Sequence, residues 1–194
     1  MTPVNITLII LALIVVWAIV AYNRFVSFTH RTKEAWADID VQLKRRYDLI
    51  PNLIESVKGY VQHERSTLEA VIAARAEASK VHVDASNITA DGVMAMAAAE
   101  GALSSSLGKI FALAEAYPDL KANQNFVELQ RELADTENKL QAARRFYNGN
   151  ARDFKIALQS FPANMIGSLF SFKEEPFFEL PESSVERETV KVSF

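Results

Sequence analysis

The sequence predicts an all-α protein in which an N-terminal transmembrane helix continues into an elongated antiparallel four-helix bundle with coiled-coil-like packing. Three observations carry that prediction. Residues 4–22 are apolar on every face. Through the rest of the 194-residue chain, apolar residues recur at spacings of three and four, the period of one helix face. Only six glycines and six prolines interrupt the chain, so its elements are long.

The span comes first. Residues 4–22 read VNITLIILALIVVWAIVAY, with Asn5 and Thr7 as the only polar interruptions. As a helix they cover about 28 Å at roughly 1.5 Å per residue, close to the ~30 Å hydrocarbon core of a bilayer. A cleaved signal peptide needs a basic leading region, and no Lys or Arg precedes this run. A core helix of a soluble domain would keep a polar stripe. A retained signal anchor is therefore expected. Tyr22 and Arg24 stand where a membrane interface would begin, with Trp17 a turn deeper. Arg24, Arg31, Lys33, Lys44, Arg45 and Arg46 all follow the span. That asymmetry puts the N-terminus outside and the following domain in the cytoplasm of a bacterial inner membrane; a periplasmic domain is the alternative.

Residues 23–172 are read as the bundle, in four helical stretches. The first continues out of the span as one rod of roughly 60 Å, with an apolar stripe of Trp36, Ile39, Leu43, Tyr47 and Ile50. Asp48 and Pro51 mark its end, because the residue before a proline disfavours helix and Asp48 can cap a new one. The alternative is a kink there, leaving one very long helix. The second stretch, 51–81, presents Leu53, Ile54, Val57, Val61, Leu68, Val71 and Ile72, with Gly59 as a point of close helix approach. A polar loop, 82–90, precedes the third stretch, 91–117, which Thr89 caps. Its large face holds Leu103, Leu107 and Ile110. Its small face, Ala98, Gly101, Ala102, Ser105 and Gly108, would let another helix pack closely. The fourth stretch opens at Asn125, three before Glu128 as in a capping box. It runs through Leu129, Leu133, Leu140, Tyr147, Phe154 and Leu158 until Pro162 stops it.

If the first helix leaves the membrane, the fourth returns to it. The next segment contains Met165, Ile166, Leu169 and Phe170. It is too short to span, and is expected either in the membrane interface or as a cap on the bundle end. Residues 173–194 are read as a tail that folds on a partner. Val190, Val192 and Phe194 add a weak strand pattern.

Several ordered pieces resemble the LemA family of bacterial membrane-anchored helical proteins: RRYDLIPNLI from Arg45, GYVQHE from Gly59, AYPDLKAN from Ala116, NFVELQRE from Asn125, TEN from Thr136, ARRFYN from Ala143 and SFPAN from Ser160. The resemblance implies long helices behind one N-terminal span, with the C-terminus cytoplasmic and no established activity. A magnetosome-associated relative hints at shaping or organising membrane. One departure is local. Where the family often repeats a Tyr-Asn pair, this chain has Phe154 and Lys155.

Catalytic chemistry is weakly represented. With no cysteine there is no thiol nucleophile and no cysteine metal site. His30, His63 and His82 lie in three regions without metal-ligand spacing, and no Glu-x-x-His pairs point to a di-iron bundle. A net charge of −3 gives no support to nucleic-acid binding. The polar residues to account for are Arg46, Asp48, Asn52, Glu64, Glu137, Arg144, Tyr147 and Asn148. Buried charge is costly unless paired, so they are read as a network that fixes helix register, with Glu137 and Arg144 reaching across helices. No cofactor is expected and no enzyme. The expected partners are membrane lipid, further copies of the chain, and an unidentified membrane protein.

Overall fold

A computed structural model describes residues 2–61 and 64–179. The chain is all-helical, with no strand among the described residues. Its elements are α1 (Pro3–Lys58), α2 (Arg65–Lys80), α3 (Ala90–Ala114), α4 (Pro118–Lys121), α5 (Gln124–Gln159) and α6 (Ala163–Leu169). An extended segment, 172–179, follows. His63 and the strand pattern at 190–194 lie outside the described residues.

α1 has 56 residues and so measures about 84 Å. Its most apolar stretch has a mean hydropathy of 2.8 and is not buried at all within the protein. Burial begins at Ala21 and Phe25 and then follows a helical stripe through Trp36, Ile39, Leu43 and Arg46.

The expected break at Asp48–Pro51 does not occur: α1 runs through Pro51 to Lys58. Proline removes the hydrogen bond to the carbonyl four residues back and costs about 3 kcal/mol inside a helix. Two features offset this. The carbonyl left over, that of Tyr47, accepts a bond from Arg75 Nε of α2 at 2.7 Å. Beyond the proline, Leu53, Ile54 and Val57 enter the core, at about 1.5–3 kcal/mol each. The helix ends instead at Lys58, beyond which the Tyr60 and Val61 amides fold back onto the Val57 carbonyl.

α5 lies antiparallel along α1, with Phe25 beside Phe154, Trp36 beside Tyr147 and Arg45 beside Asp135. α2 returns along α1 and pairs with α3. The core comes in three sections. A distal one gathers Ile50, Leu53, Leu103, Ile110 and Leu120. A middle one holds Trp36, Ile39, Leu43, Leu140 and Tyr147. A basal one, beside the apolar segment, holds Ala21, Phe25, Phe154, Ala157 and Ile166.

Two caps differ in outcome. Thr89 caps α3, accepting from the Gly92 amide at 3.2 Å. α5 starts earlier than expected, capped by Asn123, whose side chain accepts from the Phe126 amide at 3.0 Å. Among the described residues the small face of α3 packs against nothing: Ala98, Ala102 and Ser105 are exposed, and a Cβ at Gly101 or Gly108 would meet open space, as it would at Gly59 after α1. Burial selects the face with more apolar area, here Met96, Leu103, Leu107 and Ile110. Close approach occurs at Gly167 instead, where a Cβ would lie 2.8 Å from Leu158 Cδ2.

Candidate functional site

Five of the polar residues singled out from sequence fall into two groups. Arg46 occupies a core position of α1 and is 5% exposed. Its Nη1 lies 3.0 Å from Glu100 Oε2 of α3 and 2.9 Å from Glu137 Oε2 of α5. Its Nη2 donates to Ser104 Oγ at 2.8 Å. The adjacent Tyr47 hydroxyl donates to Glu100 Oε1 at 2.5 Å. Glu100 is 2% exposed, whereas about a third of the Glu137 side chain (32%) reaches solvent. The bonds to Glu100 are charge-assisted and stronger than neutral ones, and Glu137 adds an ion pair. Burial, and then the Glu100 carboxylate, push the Tyr47 phenol far above the ordinary tyrosine value.

This cluster forms a polar layer between the middle and distal core sections. Arg46 sits between Leu43 and Ile50, Glu100 between Ala97 and Leu103, and Glu137 between Leu133 and Leu140. A one-turn slip of any helix would strand a buried charge, so the layer discriminates registers. Glu100 is not among the polar residues that the sequence singles out. Its signal is a lone charge inside the apolar stripe Met96, Leu103, Leu107, Ile110 at spacings of four and three.

Arg144, Tyr147 and Asn148 form the second group, and they hold the extended segment. The Tyr147 hydroxyl donates to the Pro176 carbonyl at 2.7 Å. The Asn148 carboxamide accepts from the Phe178 amide at 2.7 Å and donates to the Phe178 carbonyl at 2.9 Å. One side chain thereby makes both bonds of a strand pair. The Phe178 ring is buried, 6.2 Å from Trp36, with the Arg144 guanidinium 4.5 Å above it. At the departed Tyr-Asn position, Phe154 joins the basal aromatic cluster and Lys155 pairs with Glu174 at 3.1 Å. Bonds from Lys155 and Gln159 hold the Glu174 carboxyl below its usual range. The first part of the tail, 173–179, is thus seated on the helices. Tyr147 spends its hydroxyl on this bond rather than facing a substrate cleft.

The remaining residues do not join either group. Asp48 and Asn52 lie on the exposed side of α1. Glu64 precedes α2 without capping it through its side chain. His30 is exposed, and His82 Nδ1 lies 3.7 Å from Asp40. Among the described residues no three His, Asp or Glu side chains gather as metal ligands.

At the base, Trp17, Tyr22 and Arg24 are exposed, as are Met165, Leu169 and Phe170 of the α6 end. Tyr22 and Phe170 have ring centroids 4.7 Å apart, so α6 ends beside the last apolar turn of α1. Of the two positions expected for this segment, Ile166 takes that of a cap on the bundle end: it is 8% exposed and packs inward, because a helix of about two turns laid on a core directs one side of itself into it.

The LemA family model matches residues 35–194. Magnetosome protein MamQ 1 of Paramagnetospirillum magneticum is 23% identical over 175 residues, covering 81% of this chain and 64% of the relative. Magnetosome protein MamQ of Magnetospirillum gryphiswaldense is 21% identical over 178 residues, with the same coverage. The chain therefore spans somewhat under two-thirds of the length of these magnetosome relatives. Protein LemA of Metamycoplasma hominis is 24% identical over 171 residues, covering 88% of this chain and 74% of that protein.

Proposed function

The chain belongs to the LemA family, and we propose that it is a single-pass, membrane-anchored scaffold that associates with further copies of itself and organises the membrane it sits in. The observation that carries this reading is α1: its apolar stretch is unburied and continues without a break into the core of the body. An exposed apolar surface of that length needs a nonaqueous environment. A continuous helix would transmit the position of the body to the bilayer rigidly. The exposed end of α6 supplies a second membrane contact beside it.

The helices beyond the span act as one elongated antiparallel bundle in this reading, aligned by the Arg46–Glu100–Glu137 layer. The body faces the cytoplasm of a bacterial inner membrane, as the basic residues after the span favour. The role is not enzymatic. The uncovered face of α3 supports the view that the chain works by contact with another protein, and the relatives named as magnetosome proteins are compatible with work at a membrane.

Crosslinking of the full chain in native membranes tests the proposal. Homotypic products above the monomer are expected. A strictly monomeric product would overturn self-association. A product containing one other membrane protein and no second copy would favour an accessory subunit of a membrane enzyme or sensor complex.

A further inference from the structure

Below the middle core, α1 and α5 run on as a two-helix stalk with a groove on each side. The extended segment 172–179 fills one groove, seating Phe172 and Phe178 against the helices. The described residues leave the opposite groove open, and it is divided into two adjoining clefts. The lower one, about 300 Å³, is walled by Trp17, Val20, Ala157, Phe161 and Ala163. The upper one, about 560 Å³, is walled by Ser27, Phe28 and Arg31. Arg24, Asp153 and Ile156 line both.

The order of chemistry along α1 is what matters. Trp17, Val20, Arg24, Ser27 and Arg31 share one helix face. They pass from apolar, at the level of the span, through a cation near the end of the apolar run, to a second cation about 10 Å further out. That is the order of a phospholipid: acyl chain, phosphate, headgroup. Arg24 is braced over the Phe28 ring at 5.4 Å. The acidic wall residue, Asp153, pairs with Arg152 at 3.3 Å, so the groove keeps an excess of positive charge.

We propose that this groove is a binding site for an anionic phospholipid, with an acyl chain against Trp17, Val20 and Phe161 and the phosphate between Arg24 and Arg31. The site rests on the reading of residues 4–22 as a membrane span.

Trp17 lines the groove, and the only other tryptophan, Trp36, is buried in the middle core. Quenching by brominated lipid therefore reads occupancy directly. The full chain is reconstituted in phosphatidylcholine vesicles containing a few per cent of dibrominated phosphatidylglycerol or of dibrominated phosphatidylcholine. The anionic lipid should quench Trp17 as if enriched about fivefold over its bulk fraction, the preference that roughly 1 kcal/mol for a basic residue at an anionic surface gives. Arg24→Gln with Arg31→Gln should remove the preference, and Arg24→Lys should retain most of it. Equal quenching by the two lipids, or a preference unaffected by the double variant, would overturn the site while leaving the anchor intact. No quenching by either lipid would overturn the anchor and the site together. Loss of the preference on adding inorganic phosphate to a chain still quenched equally by both lipids would assign the cations to free phosphate and overturn the lipid site.

Discussion

Arg46 shows how much one residue can be asked to hold. It is buried with Glu100 as its nearly inaccessible partner and Glu137, about a third exposed, as its second. Breaking a buried pair leaves a charge uncompensated, at about 3–5 kcal/mol. Glu100→Leu should therefore destabilise the chain by about 3 kcal/mol in urea unfolding, since it also leaves the Tyr47 hydroxyl with only the Ala78 carbonyl, 3.4 Å away. Glu137→Ala should cost only about 1 kcal/mol, because Arg46 keeps Glu100 and solvent reaches the gap. Arg46→Met combined with Glu100→Leu should be less damaging than Glu100→Leu alone; a worse double variant would contradict the assignment of the layer to pairing. Tyr47 of this layer and Tyr147 under the extended segment set an alkaline limit. Burial raises the Tyr47 and Tyr147 phenols above the ordinary value of about 10. A group raised in the folded state stabilises fully below its unfolded value and loses that contribution as pH rises beyond it. Melting temperature should fall steeply above about pH 10, and Tyr47→Phe with Tyr147→Phe should flatten that fall.

At the scale of elements, Pro51 and the tail show two ways of meeting a backbone requirement with a side chain. Arg75 serves the Tyr47 carbonyl that Pro51 abandons. Arg75→Met should cost about 1 kcal/mol, the lower end of the penalty for an unsatisfied carbonyl, since this one is part-buried. In a Pro51→Ala background the restored amide supplies that bond, so the same substitution should cost clearly less. Equal costs in the two backgrounds would show that Arg75 is not compensating the proline. Asn148 does for the extended segment what a neighbouring strand would do. Asn148→Ala removes two bonds worth about 1 kcal/mol each, so trypsin cleavage after Lys173 should speed up by roughly 10- to 30-fold. The Tyr-Asn pair was legible as important, through its place on the apolar face of α5. Its target was not legible, because Pro176 and Phe178 lie some thirty residues away and present only backbone to it.

For the molecule as a whole, the first question is which way it faces the bilayer. The chain lacks cysteine, so Ser66→Cys on the exposed start of α2 gives a single reporter. Membrane-impermeant maleimide should label it only after cells are opened; labelling of intact cells would place the body on the periplasmic side. The helical class and the apolar segment were written in the sequence, since composition and a 3.6-residue period are local properties of the chain. The resemblance to the family was legible for the same reason, carried by short ordered motifs. Helix partners were not local. The α1–α2 turn moved from Pro51 to Gly59 because Arg75 and the core beyond the proline outweighed a breaker that is costly only while its carbonyl stays orphaned. Glu100 became a partner of Arg46 only once α3 was laid beside α1, and Ile166 turned inward only once α6 met Phe25 and Phe154. Sequence alone determined which segments are helical and which one is apolar enough to cross a membrane. Tertiary structure decided where the long helix ends, which charges meet and where the tail lies, because those outcomes depend on what distant residues can supply in desolvated surroundings.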